Sequence, residues 1–303
     1  TKRAERARQA ETTTRISDQV AHDTEKDCPF CPENVLSRTS RFPPDIIPQG
    51  LMQRGECYLF PNLFVFAEYH AVATISRVHF LDLDEFTPEM IVDNMMASRE
   101  WMLSVHAQNR QASYPVYMWN HMPPSGGSII HPHVQILMRE SPTAVQRLLL
   151  EKGRDYWQKN GNNYWKDLVR REWKNGERNI ARNDTLALIA SYAPRGFREI
   201  QFIFESVASF ADLRNEEIGN FAGMLVRLLR AYKSMGVGSF NLITFSGPVG
   251  ENPEYYSFHA KIISRPFPQG VYTNDTGTME RLQDEWVIET LPEELAQKMR
   301  AFF

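Results

Sequence analysis

The sequence predicts an α+β fold built from two similar halves. Short runs with alternating apolar residues are typical of strands, whereas longer runs with apolar residues three and four apart are typical of helices. These elements follow the order strands, helix, strands, helical insert, strands, helix, strands, helix. Each half has a late strand with a histidine motif, HPHVQ starting at His131 and FHAKI starting at Phe258. The repeated order and the repeated motif together favour two related halves.

The predicted elements divide the 303 residues into four segments. They are an N-terminal arm (1–20), a first half (21–140), a helical insert (141–183) and a second half (184–303). This length is sufficient for one large domain or two halves with a substantial core.

The first half is expected to contain strands and one long helix. Thr87 suits the N-cap of that helix and Pro88 its first helical position. In order, we expect a strand at 55–66 that is broken at Pro61–Asn62, a strand at 71–76, a helix from Pro88 to about Arg110, and a strand from Tyr114 to Trp119.

The insert and the second half repeat this alternation. The insert is strongly charged and is predicted to be helical from Ser141 to about Arg182. We then expect strands at 185–192 and 198–205, a helix from Asp212 to near Gly236, strands at 240–245 and 255–264, and a helix from Pro292.

Composition and charge exclude several classes of protein. A net charge of −3 and a pI near 6.3 argue against a large nucleic-acid-binding surface. No run of about 18 apolar residues occurs, which predicts no transmembrane helix, and the start of the chain lacks the apolar core of a signal peptide. Three cysteines, two of them in a CxxC pair, suit a reducing compartment and a metal. We therefore expect a cytoplasmic protein without nucleic-acid or membrane partners.

The HPHVQIL motif is the strongest functional signal in the sequence. It follows a loop that contains Gly126 and Gly127. In a strand, alternate side chains share one face, so His131, His133 and Gln135 are expected on the same side. Two imidazoles and a carboxamide on one face predict a site that handles phosphate. The alternative is a strand whose histidines are hydrogen-bonded in the core.

Cys28 and Cys31 predict a metal site, because a CxxC pair lets two thiolates bind one tetrahedral ion. Pro29 and Pro32 stiffen this loop. Two more ligands are required, with Cys57 a weak candidate and three histidines better ones: His79, His131 and His133.

Two sets of histidine ligands are consistent with the sequence. One set uses His131 and His133, although paired histidine ligands usually lie three to five residues apart. The other uses His79 and His131 and leaves His133 free. We favour the second set because it gives the histidines separate roles. Otherwise His79 is an ordinary surface histidine after a strand.

His133 is the predicted nucleophile. A neutral imidazole attacks well near pH 7 and can form a covalent intermediate. Attack on the α-phosphorus of a nucleotide would expel a phosphate ester, which leaves without a strong general acid. Gln135, one strand period away, could donate its amide protons to the phosphoryl oxygens. Backbone N–H groups of the Ser125–Ser128 loop could also approach phosphate.

CPFCPENV followed by HPHVQIL resembles the galactose-1-phosphate uridylyltransferase branch of the histidine-triad superfamily. The two motifs match specifically, and the order of elements fits most of the chain. The resemblance implies two histidine-triad-like halves, each with an antiparallel sheet forming a half-barrel flanked by helices. It also implies a ping-pong nucleotidyl transfer through a nucleotidyl-histidine, a structural zinc ion and a homodimer.

The resemblance also implies roles for individual residues. His133 corresponds to the nucleophile and Gln135 to its phosphate-stabilising partner. Asn62 is similar to the asparagine at the nucleotide pocket, and Asn120 and Ser128 resemble the residues that contact phosphate. The implied zinc ligands are Cys28, Cys31, His79 and His131.

The sequence also departs from the family pattern. Lys261 replaces the second histidine of the second-half HxH, so we predict no second metal and expect Lys261 to offer phosphate a point charge. Leu63 stands where uridylyltransferases usually carry an acidic residue, so a specificity for uridine does not follow from the resemblance. The segment from Gly270 to Trp286, which should meet the sugar phosphate, has no clear match.

Three functional hypotheses follow. The leading one is nucleotidyl transfer from a nucleoside diphosphate sugar to a phosphorylated acceptor. The second is a nucleotide-sugar or dinucleotide phosphorylase or hydrolase that uses the same His133. The third is a zinc-stabilised nucleotide-binding module without catalysis.

Overall fold

The computed structural model describes residues 18–268 and 274–303. The strands are β1 (Met52–Arg54), β2 (Cys57–Pro61), β3 (Tyr69–Thr74), β4 (Tyr114–His121), β5 (His133–Arg139), β6 (Asn179–Arg182), β7 (Leu186–Ala190), β8 (Phe197–Phe204), β9 (Phe240–Phe245) and β10 (His259–Ser264). The helices are α1 (Asp18–Glu25), α2 (Pro32–Arg38), α3 (Pro88–Gln108), α4 (Ala144–Asn160), α5 (Tyr164–Asn175), α6 (Asn215–Ser234), α7 (Thr278–Leu282) and α8 (Pro292–Arg300), with short 3₁₀ turns at Pro123–Ser125 and Phe210–Asp212.

All of these strands belong to one open antiparallel sheet. Their order is β1-β2-β3-β5-β4-β9-β10-β8-β7-β6, and every pairing is antiparallel. The predicted α+β fold with an antiparallel sheet and flanking helices is therefore confirmed.

The two halves repeat the same arrangement. From one edge the order is β1-β2-β3-β5-β4, and from the other it is β6-β7-β8-β10-β9. The halves meet where β4 pairs with β9, with Met118 opposite Ile243. Helix α3 follows the third strand of the first half, and α6 follows the third strand of the second. The two histidine motifs consequently lie on equivalent strands, β5 and β10.

One hydrophobic core covers a whole face of the sheet and joins the halves. Val134 and Ile136 of β5 belong to it, together with Ala260 and Ile262 of β10. Helices α3 and α6 pack on this face and against each other. Because side chains alternate along each strand, the histidines of β5 and β10 are turned toward the opposite face.

The opposite face carries two smaller apolar clusters, one for each half. The first-half cluster contains Cys28, Phe30, Cys31, Val35, Tyr58, Phe60 and Val72. The second-half cluster contains Trp165, Val169, Ala187, Ile189, Ile203, Ala208 and Tyr256. The helical insert supplies Trp165 and Val169, so it covers the second half and not the first.

The prediction that the strand resumes after Pro61–Asn62 and continues to residue 66 is wrong. The Asn62 side chain accepts a hydrogen bond from the backbone N–H of Phe64 at 3.0 Å. This turn bends the chain out of the sheet. Residues 63–66 form an exposed loop, with Leu63 74% and Phe64 81% exposed.

Two predicted helix boundaries also differ from the structure. Helix α5 ends at Asn175, because Gly176 adopts a left-handed C-cap, and the chain then forms β6 instead of remaining helical to Arg182. Helix α6 begins at Asn215, three residues after Asp212, because Arg214 and Glu217 form its N-terminal cap. The strand expected from Tyr255 starts at His259.

The four-segment division of the chain remains a prediction. Residues 1–17 of the proposed arm and residues 269–273 lie outside the described part of the chain. Within that part, no helix is both long and apolar enough to cross a bilayer.

Candidate active site and metal centre

Strand β5 places His133 and Gln135 on the face away from the main core. Val134 and Ile136, which alternate with them, are fully buried in that core. His133 is 8% exposed and Gln135 is half-buried. The predicted alternation along the motif therefore determines which side chains reach the open face.

His131 lies just before β5 and occupies a different environment. The intervening Pro132 uses its carbonyl to accept a hydrogen bond from Ile75 N at 2.8 Å. This bond anchors the entry to the strand, while the His131 side chain is completely buried. The two histidines of the motif thus lie in different surroundings.

Cys28, Cys31, His79 and His131 converge on one point. One potential ligand atom from each residue lies within 4.8 Å of the others. Cys31 Sγ is 3.4 Å from His79 Nδ1 and 3.5 Å from His131 Nδ1. Ligands of a tetrahedral zinc ion with ordinary bond lengths lie about 3.6 Å apart for a sulfur–nitrogen pair. These four residues can therefore hold a metal ion, and His133 is not among them.

The outer nitrogens of both histidines have hydrogen-bond partners. His131 Nε2 donates to the carbonyl of Ser76 at 2.9 Å, and His79 Nε2 lies 3.0 Å from Thr24 Oγ1. With its Nε2 protonated, His131 turns the lone pair of Nδ1 toward the two thiols. Such outer contacts orient histidine ligands in metal sites.

Burial makes this cluster unfavourable for an uncompensated negative charge. Burial, reinforced by the neighbouring Cys28, raises the pKa of the Cys31 thiol to about 12. Burial also lowers the pKa of His131 to about 4 and lowers that of His79. A bound divalent cation would reverse the effect on the thiols, because metal coordination favours the thiolate.

His133 is oriented by the backbone of the same motif. Its Nδ1–H donates to the carbonyl oxygen of His131 at 2.7 Å, which leaves Nε2 with the free lone pair. The ring of Phe30 packs edge-on against it at 5.0 Å. Burial lowers the pKa of His133 below its usual range, so the imidazole is neutral near pH 7.

Gln135 contacts two residues of the first half. Its Oε1 lies 3.0 Å from His70 Nε2 and 3.4 Å from Asn62 Nδ2. Asn62 Nδ2 also lies 2.9 Å from His70 Nε2, so the three side chains form one cluster of polar contacts. Gln135 Oε1 accepts from Asn62 Nδ2. Among the described residues no hydrogen bond uses the amide protons of Gln135, which remain for another acceptor.

Sequence reasoning missed His70. Its position in Tyr69–Thr74 puts it opposite Leu137 of β5, on the same face as Gln135. The predicted strand began at Ala71, one residue too late to include it. A strand extended back to Tyr69 would have revealed this histidine through simple alternation.

A cavity of about 280 Å³ opens beside His133 and Gln135. Phe30 and Phe60 supply part of its apolar wall, and Asn62 and Ser128 supply polar groups. The exposed loop that starts at Leu63 forms its rim. The remaining lining residues are Pro29, Arg38, Thr39, Ser40, Pro61, Phe64, Val72 and Ile129.

Asn120 of β4 does not line this cavity, and its place relative to His133 follows from the strand register. Met118 of β4 pairs with Gln135 of β5. This is the last pair of the β4–β5 ladder, and continuing its register by two residues brings Asn120 level with His133, the first residue of β5. Their side chains share one face of the sheet.

Lys261 makes an ion pair in the second half. Its Nζ donates to Glu199 Oε1 at 2.8 Å, and the Glu199 side chain is only 2% exposed. Ser191 Oγ also donates to this oxygen at 2.6 Å. The ammonium group already has a buried anionic partner, so its expected contact with phosphate stays a prediction.

No protein-family model matches the sequence. A protein of Archaeoglobus fulgidus, described as uncharacterized, is 31% identical over 276 residues, which cover 90% of this chain and 80% of that protein.

Solved structures with the same fold share less sequence. The ADP-glucose phosphorylase of Arabidopsis thaliana, solved with bound ADP-glucose, is 19% identical, with 90% of each chain covered and a TM-score of 0.75. A uridylyltransferase mutant is 20% identical, with 91% of this chain and 90% of that chain covered and a TM-score of 0.74. These comparisons confirm the fold that the two motifs predicted.

Proposed function

We propose that this chain, which belongs to the same family as the A. fulgidus protein and has the uridylyltransferase fold, is a nucleotidyltransferase. It would act on a nucleoside diphosphate sugar through a nucleotidyl-His133 intermediate. The observation that carries the proposal is the hydrogen bond from His133 Nδ1–H to the His131 carbonyl. It fixes the tautomer with a nucleophilic Nε2 in a residue that lines the cavity.

In the first step, His133 Nε2 attacks the α-phosphorus and the sugar phosphate leaves. The bond between the α-phosphorus and the bridging oxygen breaks as the nitrogen–phosphorus bond forms. The imidazole becomes positively charged, and the His131 carbonyl stabilises it through the Nδ1–H hydrogen bond. In the second step, an acceptor phosphate attacks the intermediate and restores the neutral histidine.

The phosphoryl oxygens require donors, and three side chains near His133 can supply them. Gln135 has amide protons available because its Oε1 accepts from Asn62, and no hydrogen bond among the described residues uses its Nε2. Ser128 lines the same cavity, and Asn120 lies opposite His133 on β4. Donors placed where charge develops can contribute several kcal/mol to a transition state.

The metal centre would hold a structural zinc ion through Cys28, Cys31, His79 and His131. When bound, the ion supplies a four-ligand crosslink and takes no part in the chemistry. It would tie the loop before α2 to the segment that enters β5. Since the His131 carbonyl accepts the hydrogen bond from His133, this crosslink would also hold the nucleophile in place.

The cavity suits the nucleoside part of the substrate. Aromatic rings from Phe30 and Phe60 flank it, and aromatic rings readily pack against a base. Leu63 at the rim offers no carboxylate to a base, which relaxes any preference for uracil. The ADP-glucose bound by the A. thaliana phosphorylase makes ADP-glucose the second nucleotide sugar to test.

Inorganic phosphate is the alternative acceptor. The same intermediate would then release a nucleoside diphosphate, as in a phosphorylase. The resemblance in fold to an ADP-glucose phosphorylase favours testing this acceptor, and hydrolysis is the outcome when water attacks instead.

Intact-protein mass spectrometry tests the proposal. The protein is incubated with UDP-glucose or ADP-glucose in the absence of an acceptor. We expect a mass increase of one nucleoside monophosphate and an equal amount of released glucose 1-phosphate. Adding galactose 1-phosphate or inorganic phosphate should then discharge the adduct, and the product identifies the acceptor class.

His133→Ala should abolish the adduct, whereas His106→Asn on α3 should retain it. His106 contacts the backbone of Ala112 and has no contact with the site. No adduct with either nucleotide sugar, together with unchanged nucleotide binding in His133→Ala, would instead identify a binding module without catalysis.

The oligomeric state and the compartment are further proposals. We infer a homodimer, supported by the exposed apolar side chains of Leu63, Phe64, Val65 and Phe66 near the cavity. Analytical ultracentrifugation at micromolar concentration should give twice the mass of one chain. A reducing, cytoplasmic location is supported by the two thiols that the metal centre requires.

A further inference from the structure

We propose that Asn241 and Arg265, both from the second half, are positioning residues that orient the Asn120 carboxamide toward the phosphate in the first half. The proposal rests on the proposed function, because it assigns Asn120 a phosphate oxygen as its partner. It gives the second half a part in catalysis beyond stabilising the fold.

The contact lies where the halves meet. Asn120 of β4 pairs directly with Asn241 of β9. On its other side β4 pairs with β5 as far as Met118 and Gln135, and continuing that register by two residues brings Asn120 level with His133. Asn241 is therefore two strands from the nucleophile, on the same face of the sheet. Both asparagines are half-buried, so a ligand at His133 can reach Asn120.

The direction of the hydrogen bonds follows from the chemistry of arginine. Arg265 Nη1 lies 2.9 Å from Asn241 Oδ1. A guanidinium group can only donate, so this atom of Asn241 must be the oxygen. The orientation of an asparagine side chain is otherwise ambiguous between its oxygen and nitrogen. Arg265 removes that ambiguity.

The orientation is passed from Asn241 to Asn120. With its oxygen toward Arg265, Asn241 directs Nδ2 at Asn120 Oδ1, 2.7 Å away, and at the Ser125 carbonyl, 2.8 Å away. Asn120 Oδ1 is then an acceptor, and its Nδ2 group points elsewhere. Among the described residues, no hydrogen bond occupies Asn120 Nδ2. Two N–H donors therefore remain for an anion beside His133.

Arg265 is itself held in one position. Its Nε and Nη2 bind the two carboxylate oxygens of Asp275 at 2.7 and 2.9 Å, and its backbone N–H donates to Ser239 O at 2.8 Å. A bidentate ion pair of this kind fixes the guanidinium more firmly than a single hydrogen bond does. The Asp275 side chain is 10% exposed, which shields the pair from water.

The same hydrogen bonds hold the loop that leads to Ser128. Asn241 binds the Ser125 carbonyl, and Gly127 packs so closely on β4 that a Cβ atom there would lie 2.9 Å from Asn120 O. Asn241 thus joins the loop and the Asn120 side chain through one amide group. Both phosphate-binding elements of the first half are set by one residue of the second.

Asn241→Asp tests this proposal most directly. Aspartate keeps the size of the side chain and its contact with Arg265, but it cannot donate to Asn120. Asn120 should then rotate, give its N–H to the new carboxylate, and present its oxygen to the phosphate. We expect adduct formation on His133 to slow by about 10- to 100-fold, the effect of losing a hydrogen bond to a charged group. Asn241→Ala, which leaves Asn120 free to rotate, should slow it less.

A double-mutant cycle with Asn120→Ala separates orientation from charge. If Asn241→Asp acts through Asn120, it should cause little further loss in the Asn120→Ala background. A simple repulsion of phosphate by the new carboxylate would persist there and would weaken at high salt. Urea unfolding should show a modest loss of stability in Asn241→Asp, because the new carboxylate also loses the hydrogen bond to the Ser125 carbonyl; that loss of stability should persist in the Asn120→Ala background, where the effect on the rate should not.

Binding of AMP and UMP, measured by calorimetry, distinguishes this proposal from the proposed function. A wild-type protein that binds either nucleotide but forms no adduct contradicts the proposed function and not the positioning role. The double-mutant cycle is then measured as changes in the Kd of the nucleotide. If Asn241→Asp slows adduct formation as much in the Asn120→Ala background as in the wild type, Asn241 does not act through Asn120 and the positioning role is overturned. Wild-type rates in Asn241→Asp alone would overturn it as well. Arg265→Lys should retain more of the wild-type rate of adduct formation than Arg265→Met, because lysine can still donate to Asn241 Oδ1. Equal rates in the two variants would contradict the positioning role of Arg265.

Discussion

His133 and His259 occupy equivalent places in the two halves and adopt the same local geometry. Each lies on the strand next to the centre of the sheet. Each donates from Nδ1 to the carbonyl two residues earlier, at 2.7 Å to His131 and at 2.9 Å to Ser257. The backbone arrangement that fixes a nucleophilic tautomer is therefore present twice.

The surroundings of the two histidines differ completely. His133 touches one aromatic ring, Phe30, and lines a cavity. His259 is 1% exposed, stacks on Phe245 with ring centroids 4.9 Å apart, and packs against Trp165 at 5.1 Å. The second histidine is sealed within a core.

The helical insert accounts for much of this difference. Trp165, at the start of α5, covers His259, and the insert makes no equivalent cover over the first half. At the next alternate position, Gln135 faces the cavity whereas Lys261 pairs with Glu199. The same tautomer is thus present in both halves, but of the two histidines it is His133 that lines a cavity.

Removing a metal ligand should have the largest effect on stability, and only in the first half. Cys28→Ser should lose the bound zinc and lower the free energy of unfolding by about 3 kcal/mol or more, because metal binding contributes directly to folding. Elemental analysis and urea unfolding measure the two effects.

Cys57→Ala is the matched control for this variant. Cys57 is a buried free cysteine outside the metal cluster, so its variant should keep about one zinc per chain. Equal zinc content in Cys28→Ser and wild type would contradict the assigned ligands. A metal bound by His259 would contradict the contrast between the halves.

Buried histidines should make the free energy of unfolding depend on acid in both halves, and His259 is the contribution of the second half. Burial lowers the pKa of His259 to about 3, whereas an unfolded histidine titrates near 6.5. Between these values the unfolded state binds more protons, so stability falls as pH decreases below about 6.5. One such histidine contributes up to about 1.4 kcal/mol per pH unit.

His259→Gln should therefore reduce the slope of unfolding free energy against pH between 6.5 and 5. His22→Gln, at an exposed site on α1, should leave that slope unchanged. Identical slopes for His259→Gln and wild type would show that His259 can be protonated in the folded protein.

Breaking the Lys261–Glu199 pair should lower the free energy of unfolding by less than removing a metal ligand does. Lys261→Met leaves the buried Glu199 carboxylate with Ser191 and the Arg195 N–H as partners, so we expect a loss of about 2 kcal/mol. Adding Glu199→Gln should recover part of it. Adduct formation on His133 should not change. A rate at least tenfold lower with unchanged stability would instead assign Lys261 a role at phosphate.

The fold and the grouping of residues at the candidate site could be predicted from the sequence because alternation and motif spacing are local properties. HPHVQ indicated which side chains share a face, and the CxxC pair indicated a metal cluster that the structure assembles with His79 and His131. The sequence also favoured leaving His133 outside that cluster, as the geometry does.

Other features depend on contacts that no local pattern contains. The turn at Asn62 arises from one hydrogen bond to Phe64 N, so the apolar run after it was wrongly predicted as strand. The pairing of Asn120 with Asn241 joins residues 121 positions apart. The covering of His259 by Trp165 likewise depends on how the insert packs.

The most direct test of the central claim is to locate the nucleotide on the protein. After incubation with UDP-glucose or ADP-glucose, the chain is digested at neutral to basic pH, where a phosphoramidate survives, and the peptides are sequenced by mass spectrometry. We predict a single nucleoside monophosphate on His133 and none on His259. Modification of His259, or of neither histidine under conditions where glucose 1-phosphate is released, would contradict the account.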